Sequence, residues 1–340
     1  MIKLYICLVG IVKLNKESKT PKYKQIIASI ESAIVKGDLQ KGDKLPSLNV
    51  IKNKHSLSRD TVLTAFNDLK NRGIINSVVG KGYYISSVDV KLQQKIFVLF
   101  DELNSFKEDL YNAFLNNLGS HIEVEIYFHH FNINVFNKLI NDNVGNYSSY
   151  VIMPANLKNT QDSIKNLPKD KVFILDQIHE DLNEYPAVYQ NFEKDIFTGL
   201  QSVLEKLLHY KNLILLYNDD KQPKGILNGF LSFCKQYNLQ HEVLDSLEDR
   251  KPKKGEIFII LDDKNLIRVI KKIKEEQLIL AKDVGIISVN DTILKEVVEN
   301  GITTISTDFN LMGKKLAHMI LNDEKIKVEN PSRLILRNSL

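Results

Sequence analysis

The chain has two cysteines in 340 residues, Cys7 and Cys234. They lie far apart in no metal-type spacing, which excludes a disulfide scaffold and suits a reducing, cytoplasmic compartment. No apolar run reaches the roughly 20 residues that span a bilayer. The most apolar stretch, Met1 to Val12, resembles the core of a secretory signal, but its basic lead is the single Lys3 and no small-residue cleavage site follows. It is either an extra strand or oligomer contact, or a region ahead of a natural start near Val12. No Gly-x-Gly-x-x-Gly or phosphate loop follows an apolar run, so no cofactor is expected. Asp219-Asp220, Asp262-Asp263 and His129-His130 come without a nucleophile motif, a two-histidine helix or a metal-ligand cluster. They predict neither an enzyme nor a metal protein.

Excess charge is small as well, a net +4, but it is unevenly placed. Residues 1–94 hold 16 Lys+Arg against 7 Asp+Glu, and the remainder holds 30 against 35. The length suggests two domains, and this division suits a small polyanion binder joined to a separate, mildly acidic sensor.

What is present in the first part is a helix pattern with punctuation. Tyr23 to Lys36 carries an apolar stripe at Ile26, Ile27, Ile30, Ala33 and Ile34. Ser47 can cap a short helix to about Lys54, and His55-Ser56-Leu57 is the turn into a second helix, Ser58 to Arg72. That helix buries Val62, Ala65, Phe66 and Leu69 and leaves Arg59, Thr61 and Thr64 on its outer face, able to reach phosphates and base edges. Gly73 closes it. Ile74–Val79 and Tyr83–Ser86 read as two strands joined by Gly80-Lys81-Gly82, a wing that brings Lys81 and Gly82 close to a phosphate backbone. The expected organisation is an uncertain extension at 1–15, a winged helix-turn-helix at 16–87 and a linker at 88–94.

These residues resemble the gntR (gluconate-repressor-like) family of bacterial transcription factors. The resemblance rests on Gly42-Asp43-Lys44-Leu45-Pro46-Ser47, Ser58-Arg59-Asp60-Thr61-Val62, Leu69-Lys70-Asn71-Arg72-Gly73-Ile74-Ile75 and Gly80-Lys81-Gly82-Tyr83. It implies DNA contacts from Ser47, Ser58, Arg59, Thr61, Thr64, Lys81 and Gly82. Leu48-Asn49 stands where the family has Glu-Arg, so Asn49 occupies the position of a DNA-contacting arginine.

From residue 95 to 340, short apolar runs alternate with amphipathic segments. Ile96–Phe100, Val124–Phe128, Tyr150–Met153, Val172–Leu175, Leu213–Tyr217, Ile257–Leu261 and Val284–Val289 are strands of parallel sheets in an α/β domain. Small ligands bind at the carboxyl ends of such strands. Asp101, Asn104, Asp176 and Asp262 stand there.

The last sixty residues, with Asp283-Val284-Gly285-Ile286-Ile287-Ser288-Val289-Asn290-Asp291, Ile302 to Phe309 and Met312-Gly313-Lys314-Lys315-Leu316-Ala317, resemble the effector domain of lactose- and purine-type repressors. That resemblance implies two α/β lobes closing over a sugar or related metabolite, and a homodimer on a palindromic operator. It implies ligand contacts from Asn290, from the Tyr189-Gln190-Asn191 segment, and from Lys224, which lies near the family's arginine position, here Ile226. Asp308 is expected to cap the helix that begins near Phe309. A second reading keeps the DNA-binding function but gives the large domain dimerisation alone.

Overall fold

A computed structural model describes residues 10–15, 21–88, 94–119, 122–247 and 250–340. The N-terminal head opens with α1 (Lys22–Val35), whose buried face is the expected stripe. Next comes α2 (Leu48–His55), capped by Ser47, and Ser56 turns the chain in a left-handed conformation. In α3 (Arg59–Asn71), Ser58 Oγ accepts from Thr61 N at 3.1 Å, which satisfies one of the free amides of the first turn. Strands β1 (Ile75–Val78) and β2 (Gly82–Ile85) pair antiparallel as the wing. The wing is anchored: Leu45 N donates to Tyr83 O at 2.9 Å, and the Tyr83 ring meets Phe66 edge-on at 4.8 Å.

Residues 11–14 also belong to this head. Val12 is buried in its core, and Lys13 N and O both pair with Ser29 Oγ. The head therefore begins earlier than residue 16. Met1 to Val9 lie outside the described residues, as does most of the linker expected at 88–94.

Two lobes follow. The first runs β3 (Gln94–Phe100), α4 (Ser105–Asn116), β4 (Ile122–Phe128), α5 (Ile133–Asp142), β5 (Ser149–Ile152), α6 (Gln161–Ile164), β6 (Val172–Asp176) and β7 (Ala187–Tyr189). The second runs α7 (Phe192–Gln201), α8 (Leu204–Leu207), β8 (Asn212–Leu216), α9 (Lys224–Gln236), β9 (His241–Leu244), β10 (Glu256–Ile260), α10 (Asp263–Glu275), β11 (Val284–Val289), α11 (Ile293–Val297) and β12 (Thr303–Thr307). The chain then returns with α12 (Phe309–Leu321) and β13 (Lys327–Glu329) to the first lobe, and ends on β14 (Ser332–Ile335) in the second.

The sheets are six-stranded, ordered β13-β7-β6-β5-β3-β4 and β14-β12-β11-β10-β8-β9. All pairings are parallel except β12 with β14. Helices cover both faces, which is why β10 and β11 are wholly buried and, apart from Glu256 and Ser288, apolar without alternation.

Two glycines are required by helix packing. A Cβ on Gly229 would lie 2.3 Å from Glu193 O, and one on Gly313 would lie 2.3 Å from Leu110 O. Gly229 thus lets α9 close on α7, and Gly313 lets α12 close on α4.

Candidate functional sites

The first site is the outer face of the head. Ser58 both caps α3 and meets the Thr61 hydroxyl at 2.8 Å, which fixes the start of the helix. Thr64 Oγ1 returns to Asp60 O at 2.8 Å. Arg59 is exposed on the first turn and enters no ion pair among the described residues. Ser47 and Asn49 are exposed at the start of α2, and Ser47 Oγ accepts from Val50 N at 3.4 Å. Lys81 is exposed at the wing tip, flanked by Gly80 and Gly82 with φ of 72° and 113°. Backbone at those angles suits glycine. Among the sequence-derived residues, Ser47 and Ser58 have their hydroxyls engaged in capping, while Arg59 and Lys81 extend outward.

The second site is a cleft of about 600 Å³ between the lobes, at the carboxyl ends of both sheets. Asp101, Asn104, Asp176, Asp262 and Asn290 line it. The first lobe supplies a charged floor. Lys107, from the first turn of α4, is buried against Asp101, whose Oδ1 also accepts from Glu102 N at 2.6 Å. Asp176 has φ of 74° and receives a hydrogen bond from Gln190 Nε2. Loss of hydration pushes its carboxyl pKa up, against the pull of Lys107.

The second lobe supplies Lys295, 2% exposed, which donates to Asn290 O at 2.6 Å and Val289 O at 2.8 Å and lies 3.3 Å from Asp263. Burial pushes this ammonium pKa down. It pins the turn on which Asn290 stands with φ of 65°. Asp262 is committed to capping α10, where it accepts from Asn265 N and Nδ2, both at 2.8 Å. Phe106, Phe131 and Phe192 add apolar wall. The result is a recess of amides, carboxylates and two buried ammonium groups beside aromatic rings, rich in hydrogen-bonding groups.

Three expected residues stand elsewhere. Tyr189 is in β7 and Lys224 is exposed at the start of α9. Asn191 caps α7 and donates to Glu329 at 3.3 Å. None of the three lines the cleft. Asn191 lies at a hinge, where the chain crosses between lobes near residues 190, 308 and 330. Asn330, fully buried, ties the three crossings. Its backbone N donates to Tyr189 O at 2.7 Å, and its side-chain Nδ2 donates to Thr307 Oγ1 at 2.9 Å and Asp308 O at 2.7 Å. Asp308 caps α12, as its position suggested.

Across the cleft mouth, Asn156 donates to Gln222 O at 2.6 Å, and Lys221 reaches Glu102 at 3.7 Å and the Phe131 ring at 5.3 Å. Lys107, Lys295 and Asn330 had no motif to mark them, whereas Gln190, from the segment that the repressor resemblance implied, does line the cleft. The nearest signal is a charged or amide residue within a turn of a strand end. His129 is turned into the protein interior. It is buried, bonded to Met153 O at 3.0 Å, and burial lowers its pKa. No group of metal-binding side chains occurs among the described residues.

A larger hollow, about 890 Å³, runs along α1 beside residues 10–15. It is a trough on one helix face rather than a recess where polar groups converge from two lobes.

Residues 22–85 match the family model of bacterial regulatory proteins of the gntR family, and residues 207–340 match that of the periplasmic binding protein-like domain. The chain is 29% identical over 114 residues to the HTH-type transcriptional repressor YtrA of Bacillus subtilis, covering 34% of this chain and 84% of that one. It is 32% identical over 107 residues to the mannosyl-D-glycerate transport/metabolism system repressor MngR of Escherichia coli, covering 32% and 41%. The chain thus spans less than half of that repressor's length.

Among solved structures, the lac repressor dimer bound to operator superposes with a TM-score of 0.61 at 16% identity, covering 74% of this chain and 95% of that one. The trehalose repressor from Escherichia coli gives 0.60 at 13%, covering 72% and 100%. The chain joins a gntR-type helix-turn-helix head to a two-sheet, periplasmic-binding-protein-like domain. No helix among the described residues is long and apolar enough to cross a membrane.

Proposed function

We propose that this chain, a gntR-type winged helix joined to a periplasmic-binding-protein-like domain, is a ligand-responsive regulator of transcription. On this reading it works in the cytoplasm as a homodimer on a palindromic operator, and its cleft takes a sugar or related polyhydroxylated metabolite. The observation that carries the reading is the pairing of two sites in one chain. An exposed, capped helix start presents Arg59, and a separate two-lobed cleft of about 600 Å³ is lined by hydrogen-bonding groups and aromatic rings. The relatives are repressors rather than enzymes.

Arg59, Thr61 and Lys81 would carry the DNA contacts, with Asn49 beside them. Asp101, Asp176 and Asn290 would meet ligand hydroxyls. A ligand shifts operator affinity only as far as it prefers one lobe arrangement over another.

The test is selection of a duplex from a random pool, followed by fluorescence anisotropy. Arg59→Ala is expected to cost about 1–3 kcal/mol and relax sequence preference, while Lys81→Ala weakens all sequences alike and flattens the salt slope. Unchanged affinity for Arg59→Ala removes the assignment of α3. A thermal-shift screen with monosaccharides tests the cleft. If nothing stabilises the protein, a domain that only dimerises is the better account.

A further inference from the structure

The tail of the recognition helix does not end in solvent. Lys70 Nζ donates to Asn146 Oδ1 at 3.3 Å. Asn71 is 4% exposed, although it lies on the last turn of a surface helix. In the amide orientation that satisfies both its ends, it donates to Asn67 O at 3.1 Å and to Gly145 O, and accepts from Lys171 Nζ at 2.9 Å. Its partners at 145 and 171 belong to the first lobe, on the turn before β5 and just ahead of β6. A buried amide is costly unless its groups are paired, so the contact specifies one docking arrangement.

Position in the sheet gives this contact a consequence. It lies at the amino ends of β5 and β6, and the cleft lies at their carboxyl ends. Lys171 immediately precedes the five-residue strand β6, and Asp176 ends it. β5 leads directly to Ala155, which lines the cleft, and to Asn156 of the mouth. The turn is also tied to the lobe by hydrogen bonds. Tyr150, buried in the lobe core, donates to Asn143 O at 2.8 Å, and Ser148 N donates to Lys95 O at 2.8 Å. The DNA-facing end of α3, at Arg59, is the end away from the contact, so docking leaves it free.

We propose that Lys70 and Asn71 form a signalling joint with the 143–146 turn and Lys171, by which the first lobe holds the DNA-reading helix directly rather than through the linker alone. The inference rests on the regulator reading above. Docking presets the two heads of a dimer for a palindrome, so loosening it weakens operator binding.

The test uses the full chain and the palindromic duplex selected from a random pool. Asn71→Ala and Lys171→Ala are each expected to weaken binding about 5-fold or more, in the range of measured couplings. The double variant should be little worse than either single one. Lys171→Ala alters no residue of the head, so its effect cannot come from misfolding there. Hydrogen exchange at residues 143–146 should slow on duplex binding in wild type and not in the variants. Effects that simply add, or a turn unmoved by duplex, overturn the joint. If no duplex is ever selected, the regulator reading falls. The joint is then judged on the protein alone, where additive melting shifts for Asn71→Ala and Lys171→Ala overturn it and non-additive ones support it.

Discussion

The two lobes share a strand order, β4-β3-β5-β6-β7-β13 in the first and β9-β8-β10-β11-β12-β14 in the second, and differ in their outer strand and their neighbours. In the first lobe the outer strand is parallel, and in the second it is antiparallel. The difference follows from the route of the chain. It leaves the second lobe after β12, adds α12 and β13 to the first, and returns as β14 from the hinge end. The cost of that route is a third crossing, and Asn330 satisfies the polar backbone gathered there.

The neighbours differ too. The first lobe lies between the head and the cleft, whereas the second meets the first at the hinge, the mouth and the cleft walls. Equivalent folds thus carry unequal work. A charged floor and the docking of the head fall to the first lobe, and a pinned turn at Asn290 falls to the second.

The largest expected effect is on the first lobe's floor. Lys107→Ala leaves Asp101 buried without its cation, and removing one partner of a buried pair costs about 3–5 kcal/mol. Urea unfolding monitored by circular dichroism measures it. A loss under about 1 kcal/mol would mean that the floor is more hydrated than its burial implies.

The hinge should respond less. Asn330→Ala removes two side-chain hydrogen bonds from buried partners, worth about 1–3 kcal/mol for each group left unsatisfied. It is also expected to enlarge the radius of gyration in small-angle scattering, because the crossings lose their common tie. Loss of stability with unchanged dimensions would make Asn330 a packing residue and not a hinge pin.

The smallest effect is a dependence on pH. Asp195, beside the hinge in α7, has its carboxyl raised to about 7, first by burial and then by Glu329, with Lys194 opposing. Below the ordinary carboxylate range both folded and unfolded chains hold the proton, so burial carries no penalty. As pH rises toward 7, the unfolded chain ionises before the folded one and stability falls. Asp195→Asn should therefore match wild type near pH 4, become the more stable form as pH approaches 7, and keep a constant margin above it. Denaturant midpoints across that range decide, and a constant offset at every pH would contradict the burial of this carboxyl.

Legibility in the sequence followed the range of the interactions. Ser47, Ser58 and Asp308 are caps, which depend on three or four neighbouring residues, and the sequence shows them plainly. The long apolar strands of both sheets were equally visible. β7, β9, β12, β13 and β14 were not, since they have three to five residues each and are either too short to stand out, as in Ala187–Tyr189, or interrupted by polar residues, as in Thr303–Thr307. Asp101 and Asp176 could be placed at the cleft because strand ends predict it, and Asn290 because the repressor resemblance implies it. Lys107 and Lys295 could not, because a lysine on a helix reads as solvated until a distant carboxylate or carbonyl is brought to it. Tyr189 and Asn191 were expected at the ligand, yet β7 is so short that the chain is already crossing between lobes there.

The central claim is that occupancy of the cleft changes operator binding. It is tested most directly by anisotropy titration of the selected palindromic duplex, with and without saturating amounts of the monosaccharide that most raises the melting temperature. A change in affinity of about 5-fold or more is expected. A sugar that binds and stabilises the protein while leaving the duplex affinity unchanged would contradict the account.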